Sequence, residues 1–208
     1  MKVVGIFRHV KPSLQLAYVG GNEVYAGNPR RLDTSPPLNR SGCRQDDRMP
    51  SAFKELEHRV PSPAEMLEVA LEQARLSAKQ GGIPIGAALF GPDGTLLGKG
   101  HNERVQTGDP SMHAETAAFR SAGRRDNYRG STMVTTLAPC WYCCGLIRQF
   151  GIPNLLIGED RSFSGHYEWL ELAGVSVTVV DNPDCYQMMQ RFTTAFPALW
   201  AEDIGDSP

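Results

Sequence analysis

Two segments indicate the fold of this chain and a candidate metal site: Ser111-Met112-His113-Ala114-Glu115-Thr116 and Ala138-Pro139-Cys140-Trp141-Tyr142-Cys143-Cys144. A catalytic zinc ion takes three protein ligands and keeps a fourth position for water, whose pKa it lowers to about 7. His113, Cys140 and Cys143 are ligands of the right type if the fold brings them together. Glu115 follows His113 by two residues and is the natural proton carrier beside such an ion.

The spacing of the cysteines predicts a helix that begins beside them. Cys140 and Cys143 are separated by two residues, so on the first turn of a helix both sulfurs face the same direction. Pro139 suits the first turn of that helix, where a backbone N–H is not needed. The positive end of the helix would also favour thiolates, the form of cysteine that binds metals.

A closed structural zinc site and a redox pair are the alternatives to a catalytic ion. A closed site needs a fourth protein ligand, for which Cys144 is the nearest candidate. Adjacent helical residues diverge by about 100° around the axis, so we expect Cys144 to lie in the core instead. A redox pair of cysteines would leave His113 and Glu115 unexplained.

Charge and cysteine usage narrow the class of protein. The 208 residues carry a formal net charge of −2, which gives no general electrostatic reason to bind nucleic acid. The five cysteines are odd in number and unevenly spread, so a disulfide framework is not expected and a reducing compartment, the cytoplasm, is favoured. No apolar run reaches the roughly 18 residues that a membrane helix needs.

Residues 1–60 differ in composition from the rest of the chain. Basic residues outnumber acidic ones there by ten to six, whereas residues 61–208 carry eleven basic and seventeen acidic residues. Turn-forming pairs such as Gly20-Gly21 and Pro36-Pro37 interrupt the segment, and no hydrophobic period is sustained. We therefore predict a flexible extension, or a translation start placed too early, over residues 1–60, and one zinc-dependent domain over residues 61–208.

From residue 62 onward the hydrophobic pattern alternates between helix and strand periods. Helices are predicted over residues 63–79, 113–122, 140–150, 167–172 and 183–192. Strands are predicted over residues 86–90, 95–100, 131–136, 154–158 and 175–180. Five strands alternating with helices imply a three-layer α/β/α fold, in which a central mixed sheet of five strands has helices on both faces.

Five parts of the sequence carry a resemblance to a known family. They are the two zinc segments, Gly81–Gly86, Gly100–Asn102 and the ending Trp200–Gly205. Through them, residues 66–205 resemble the cytidine and deoxycytidylate deaminase superfamily, and within it the fungal-type cytosine deaminases. The zinc segments are shared across that superfamily, whereas the Trp-x-Glu-Asp ending is similar to the free-base enzymes of the fungal type. The resemblance implies a cytidine deaminase-like fold, a Zn²⁺ cofactor and a homodimer.

The implied reaction is hydrolytic deamination of a free nucleobase, with cytosine converted to uracil and ammonia. In that resemblance His113, Cys140 and Cys143 hold the zinc ion, and Glu115 moves the proton. The implied partners are a small nucleobase, water and a second copy of the chain, with no nucleic acid and no membrane.

The resemblance also implies a set of substrate-binding residues. Asn102 would hydrogen-bond the base on its carbonyl side, and Asp203 would accept a hydrogen bond from the exocyclic amine. The ring would lie among three apolar side chains, namely Phe163, Trp200 and Ile85. Each residue also has an ordinary structural alternative: Asn102 as a turn cap, Asp203 as a solvated charge, and the apolar three as core.

Three residues depart from the fungal pattern and leave the substrate open. Trp141 and Tyr142 stand where an acid and a smaller apolar residue are usual, and Ala138 stands where serine is usual. A bulkier rim would also suit azacytosine, an aminotriazine or guanine. Further alternatives are a tRNA adenosine deaminase, which would need a basic groove, and an inactive zinc-binding module, which would not need Glu115.

Overall fold

The first helix begins where the sequence supplies a complete N-terminal cap. The Ser62 side chain accepts a hydrogen bond from the backbone N–H of Glu65, the Glu65 carboxylate accepts one from the backbone N–H of Ser62, and Pro63 occupies the first turn. The computed structural model describes residues 59–206. The extension predicted over residues 1–60 therefore lies outside the described residues, apart from its last two positions.

Seven helices and five strands make up residues 59–206. The helices are α1 (Pro63–Lys79), α2 (Arg104–Thr107), α3 (Ala114–Ala122), α4 (Trp141–Gln149), α5 (Glu168–Leu172), α6 (Pro183–Ala195) and α7 (Pro197–Asp203). The strands are β1 (Gly86–Phe90), β2 (Leu96–His101), β3 (Thr132–Leu137), β4 (Asn154–Glu159) and β5 (Ser176–Val179). None of these helices is long and apolar enough to cross a bilayer.

The five strands form one mixed sheet in the order β2-β1-β3-β4-β5. β1 pairs antiparallel with both neighbours, so that Ala88 lies opposite Lys99 of β2 and Val134 of β3. β3, β4 and β5 run parallel, with Val134 beside Leu156 and Leu156 beside Thr178. The carboxyl ends of the parallel strands lie along one edge of the sheet, which is where α/β proteins place their ligand sites.

Alternate side chains of the strands build a separate core on each face of the sheet. On one face they meet α1, in a cluster that contains Leu67, Leu71, Ala88, Phe90 and Val134. On the other face they meet α3 and α4, in a cluster that contains Ala87, Leu89, Ala118, Met133 and Ile147. The predicted three-layer fold with a mixed five-stranded sheet is therefore confirmed.

Two glycines in β2 bring α3 close to the sheet. A Cβ atom at Gly98 would lie 2.4 Å from the carbonyl oxygen of Ala118, and one at Gly100 would lie 2.5 Å from the Cβ atom of Ala117. Neither position accepts a side chain unless the helix moves. Because α3 carries His113 at its N-cap, this close approach fixes where the imidazole lies relative to the sheet.

Three local predictions differ from the structure, while the other boundaries agree to within a few residues. Pro139, predicted in the first turn of a helix, precedes the N-cap residue Cys140 and lies outside α4. The segment after β2, where no helix is predicted, contains the one-turn helix α2, and the tail after Phe196 forms the unpredicted helix α7. Neither α2 nor α7 contains a fully buried residue, so hydrophobic periodicity carries no signal for either.

Candidate active site

The N-termini of α3 and α4 carry the three predicted metal ligands. His113 is the N-cap residue of α3, Cys140 is the N-cap residue of α4, and Cys143 lies in the first turn of α4. The His113 side chain makes no hydrogen bond back to its own helix, so its Nδ1 atom can face the two cysteines. The partial positive charge at a helix N-terminus favours the thiolate form of the cysteines.

The three ligand atoms lie close enough to share one ion. The His113 Nδ1 atom is 3.5 Å from the Cys140 Sγ atom and 3.7 Å from the Cys143 Sγ atom. Zinc bonds of about 2.3 Å to sulfur and about 2.0 Å to nitrogen place tetrahedral ligands about 3.6 Å apart. All three atoms lie within 4.8 Å of one another, so this donor set fits zinc. Cys144 is fully buried, as predicted, and its Sγ atom faces the carbonyl oxygen of Pro139.

The two thiols differ in how readily they ionise. A hydrogen bond from Cys143 has the largest influence on Cys140 and lowers the pKa of its thiol to about 4, with His113 adding to the effect. The same contact raises the pKa of the Cys143 thiol, and burial raises it further. Burial opposes the charged form of His113, but the hydrogen bond to Cys140 and nearby negative charges leave the pKa of the imidazole raised. Metal ligands must be deprotonated, so zinc binding would release the protons that these groups share.

Glu115 lies in the first turn of α3 and is 4% exposed. Its Oε1 atom accepts a hydrogen bond from the Thr135 hydroxyl over 3.2 Å, and its Oε2 atom lies 3.3 Å from the Cys143 Sγ atom. Burial is the main cause that raises the pKa of Glu115, and the charge of Cys140 adds to it. A carboxyl group with a raised pKa can hold a proton near neutral pH and release it again, as a general acid and base must.

A cavity of about 400 Å³ opens beside Glu115 and the ligand cluster. Its lining contains eight of the residues predicted for the site, namely Ile85, Asn102, His113, Glu115, Cys140, Phe163, Trp200 and Asp203. The remaining one, Cys143, is fully buried and contacts His113 and Glu115. The Phe163 and Trp200 rings meet edge to face with centroids 6.1 Å apart, so they give the cavity an aromatic wall.

The polar side of the cavity contains an arginine that the sequence analysis does not predict. Asn102 donates from Nδ2 to the Asp203 Oδ1 atom over 3.4 Å, and its Oδ1 atom accepts from the backbone N–H of Arg104 over 3.1 Å. The Arg104 guanidinium contacts both Asp203 and Glu202. Asn102 therefore caps the turn that precedes α2 and also lines the cavity. Asp203 is not a solvated charge, because its side chain is only 6% exposed.

Aromatic residues form the rim of the cavity. Trp141 stacks on His166 with ring centroids 4.2 Å apart, and Tyr142 packs edge-on against the His113 ring. Trp141 is 59% exposed and Tyr142 is 49% exposed. The departures from the fungal pattern at these two positions therefore lie where a substrate would enter.

Arg104 and His166 line the cavity, but a single sequence gives no sign of it. Arg104 lies 99 residues before its partner Asp203, and His166 contacts Trp141 only because the loop after β4 folds back over α4. Partners so far apart leave no periodic pattern. Paired substitutions across many related sequences would be the signal that reveals such contacts.

Comparison with known proteins identifies relatives that share these segments. Residues 62–159 match the family described as the cytidine and deoxycytidylate deaminase zinc-binding region. The chain is 40% identical over 142 residues to the cytosine deaminase of Candida albicans, and the alignment covers 67% of this chain and 95% of that protein. It is 38% identical over 97 residues to the tRNA-specific adenosine deaminase of Buchnera aphidicola, with 45% of this chain and 64% of that protein covered.

Solved structures share the fold at low sequence identity. The guanine deaminase from Nitrosomonas europaea superposes with a TM-score of 0.56 at 23% identity. The alignment covers 65% of this chain and 87% of that chain. A tRNA:A34 deaminase superposes with a TM-score of 0.53 at 23% identity. The alignment covers 60% of this chain and 99% of that chain. At such identities these likenesses establish the three-layer fold alone.

The sequence match and the geometry agree on the same segments. The family match over residues 62–159 includes both helix N-termini that carry the ligand cluster. The relative from Candida albicans is matched over nearly its whole length. The chain therefore belongs to the cytidine and deoxycytidylate deaminase family, and it is a zinc-dependent deaminase, a hydrolase that acts on carbon–nitrogen bonds.

Proposed function

We propose that this deaminase acts on a free nucleobase and converts cytosine to uracil and ammonia. The observation that carries the proposal is the composition of the cavity, where an amide and a carboxylate, Asn102 and Asp203, share one space with Glu115. The 40% identity to a cytosine deaminase, over 95% of that protein, supports the same substrate. A volume of about 400 Å³ is near the small end of ligand pockets and suits a free base.

In the proposed reaction, the zinc ligands and Glu115 have separate roles. His113, Cys140 and Cys143 would hold zinc, which when bound supplies a water molecule with its pKa lowered to about 7. Glu115 accepts one proton of the attacking water and delivers it to the ring nitrogen, and then takes the remaining proton of the added hydroxyl group and gives it to the departing amine. Water adds to the carbon that carries the amine, the carbon–nitrogen bond breaks, and ammonia leaves. Thr135 keeps the Glu115 carboxylate in place by donating to its Oε1 atom.

The proposed substrate contacts match the edge of cytosine. The Asn102 amide donates to the carbonyl oxygen of the base, and Asp203 accepts from the exocyclic amine. Phe163 and Trp200 wall the ring, and Ile85 packs beneath it. A base that leaves one of these buried polar groups unpaired costs roughly 1–3 kcal/mol, which gives about ten- to a hundredfold discrimination for each contact.

Deamination of another amino-heterocycle is the second candidate. It is favoured by the aromatic rim, where Trp141 stacks on His166 and Tyr142 lies beside His113. Such a rim offers a flat surface to a larger or more polar ring, such as azacytosine, an aminotriazine or guanine. A role on tRNA is less well supported, because the chain carries a net charge of −2.

An ammonia-release assay on the zinc-loaded protein tests these candidates. The substrates are cytosine, 5-azacytosine, ammeline, guanine and adenosine, each over a range that yields kcat/KM. We expect cytosine to give the highest value. A higher value for guanine or a triazine would support the second candidate, and no ammonia from any substrate with zinc bound would contradict deamination of this class.

We further propose a homodimer in a reducing compartment, the cytoplasm. Trp141, Tyr142 and Phe150, on or next to α4, are between 46% and 59% exposed, which is unusual for large aromatic residues on a monomer surface. The ligand cysteines must stay reduced to bind metal. Light scattering coupled to gel filtration would give twice the mass of the chain if the protein dimerises, and the mass of one chain would contradict the proposal.

A further inference from the structure

Arg104 connects the two polar residues at the cavity edge. Its backbone N–H donates to the Asn102 Oδ1 atom over 3.1 Å, and its guanidinium contacts Asp203 and, over 2.6 Å, the Glu202 Oε1 atom. We propose that Arg104 is a positioning residue, which holds Asp203 over the cavity and orients Asn102 so that its N–H groups face the base. The proposal deepens the free-base assignment and rests on it where substrate is concerned.

The two helices joined by Arg104 are short and only partly buried. α2 spans four residues and α7 spans seven, and neither contains a fully buried residue. Hydrophobic burial normally fixes the place of a helix, but Leu199 and Trp200 of α7 pack against the core while remaining partly exposed. The contacts at the polar face therefore add to what holds this helix in place. The Arg104 and Asp203 side chains are 11% and 6% exposed, and that shielded pair is less screened by solvent than a surface pair.

A lysine could not reproduce this arrangement. Arg104 uses Nη1 for Asp203 and Nη2 for Glu202, so a rigid planar fork spans two consecutive carboxylates of α7. An ammonium group is a single point charge on a flexible stem and holds one carboxylate with no fixed direction. The direction matters because a group displaced by about 1 Å can cost roughly a hundredfold in rate.

Asn102 is oriented by the backbone of Arg104. Because its carbonyl oxygen already accepts the Arg104 N–H, its amide nitrogen must face Asp203 and the cavity. A flipped amide would set its N–H groups against the backbone N–H and leave both without an acceptor. The cavity edge therefore presents a donor from Asn102 next to an acceptor from Asp203, a pair that selects a carbonyl oxygen beside an amine.

A direct contact with substrate is the rival role for Arg104. Its Nε atom is buried and has no hydrogen-bond partner among residues 59–206. If Arg104 touched the base itself, its removal would be costly whether or not Asp203 kept its charge. If it acts through Asp203, its removal should cost little once Asp203 is neutral, because residues that act as a unit are not additive.

Hydrogen exchange tests the structural half of the proposal without any substrate. In Arg104→Met the backbone amides of Trp200, Ile204 and Asp206, which hydrogen-bond within and just after α7, should exchange at least roughly tenfold faster than in the wild type. Arg104→Lys should lie in between. Arg59→Met, which removes the exposed pair with Glu65 at the start of α1, is the matched control and should leave these amides unchanged. Unchanged exchange in Arg104→Met would overturn the proposal.

A double-mutant cycle tests the substrate half. With cytosine, Arg104→Met should lower kcat/KM by roughly a hundredfold, and Arg104→Lys should recover part of that loss. In the Asp203→Asn background the same change should cost less than about threefold. Equal losses in both backgrounds would show direct substrate contact and overturn the positioning role. Zinc content and melting temperature are measured for each variant, and Arg104→Lys serves for the cycle if Arg104→Met does not fold.

The two tests separate this proposal from the proposed function. If the wild type releases no ammonia from cytosine, the free-base assignment fails, and the cycle is repeated with whichever base is deaminated. The exchange result still decides whether Arg104 holds α7. If cytosine is deaminated and α7 is unchanged in Arg104→Met, only the role of Arg104 is overturned.

Discussion

The metal side and the C-terminal side of the cavity are built in different ways. On the metal side, Glu115 and Cys143 are buried on helices that pack against the sheet, and glycines bring α3 close to β2. On the C-terminal side, α2 and α7 contain no fully buried residue and are joined through the charges of Arg104 and Asp203. The first side is therefore held by fully buried contacts. The second is held by partly buried side chains, such as Leu199 and Trp200, together with a few polar contacts.

The residues proposed for the chemical step and some of those proposed for substrate recognition therefore lie on differently built parts of the protein. Residues that hold the ion and move protons tolerate no displacement, and burial against the sheet supplies the required rigidity. Of the residues proposed to recognise the base, Trp200 and Asp203 lie on α7, which contains no fully buried residue. We expect substitutions on the metal side to abolish turnover, and substitutions on the C-terminal side to alter kcat/KM by smaller factors.

Loss of the ion should have the largest effect. Cys143→Ser should abolish zinc binding and activity and lower the melting temperature, because a buried ligand is replaced by a poor one. Cys144→Ala is the matched control, since this neighbouring thiol faces Pro139 and should keep one zinc per chain. Metal analysis and calorimetry check both variants. A Cys143→Ser protein with full zinc content would contradict the assigned ligand set.

Removal of the proton carrier should have the next largest effect. Glu115→Gln keeps the shape of a residue that is 4% exposed, but it cannot exchange a proton. We expect kcat to fall by roughly 10²- to 10⁴-fold while zinc content is unchanged. Rate measurement together with metal analysis separates the two effects. Near-normal turnover by this variant would rule out the proposed role.

Neutralising the carboxylate of α7 should cost less. Asp203→Asn removes the proposed acceptor for the exocyclic amine and leaves Arg104 with only the half-exposed Glu202. We expect kcat/KM for cytosine to fall by about ten- to a hundredfold with zinc content unchanged, and α7 to be less well held because Arg104 loses its shielded partner. Steady-state kinetics across the panel of bases is the check. A loss of less than about threefold for cytosine would argue against a contact between Asp203 and the amine.

Trimming the aromatic wall should have the smallest effect. Phe163→Leu weakens the contact with Trp200 and the ring of the substrate, so KM should rise by roughly three- to tenfold with little change in kcat. Phe196→Leu, at an exposed position before α7, is the control and should leave KM unchanged. If kcat fell instead, Phe163 would have a part in the chemical step.

The same contrast explains which parts of the molecule a single sequence predicts. His113 and the cysteine pair are predictable because metal ligation needs fixed residue types at fixed spacing. The central strands β1, β3 and β4 are predictable because burial on both faces gives apolar runs. Helix α7 and the contact between Arg104 and Asp203 are not, because neither produces a period and the partners lie 99 residues apart. The Pro139 prediction is wrong because the helix begins after Cys140, whose own side chain must stay free for metal.

A zinc-edge anomalous diffraction map of the Glu115→Gln protein crystallised with cytosine tests the central claim most directly. The account predicts one peak bonded to the His113 Nδ1 atom and to the Sγ atoms of Cys140 and Cys143, with the base beside it and next to Phe163. A peak at another place, or a fourth protein ligand in the position meant for water, would contradict the account.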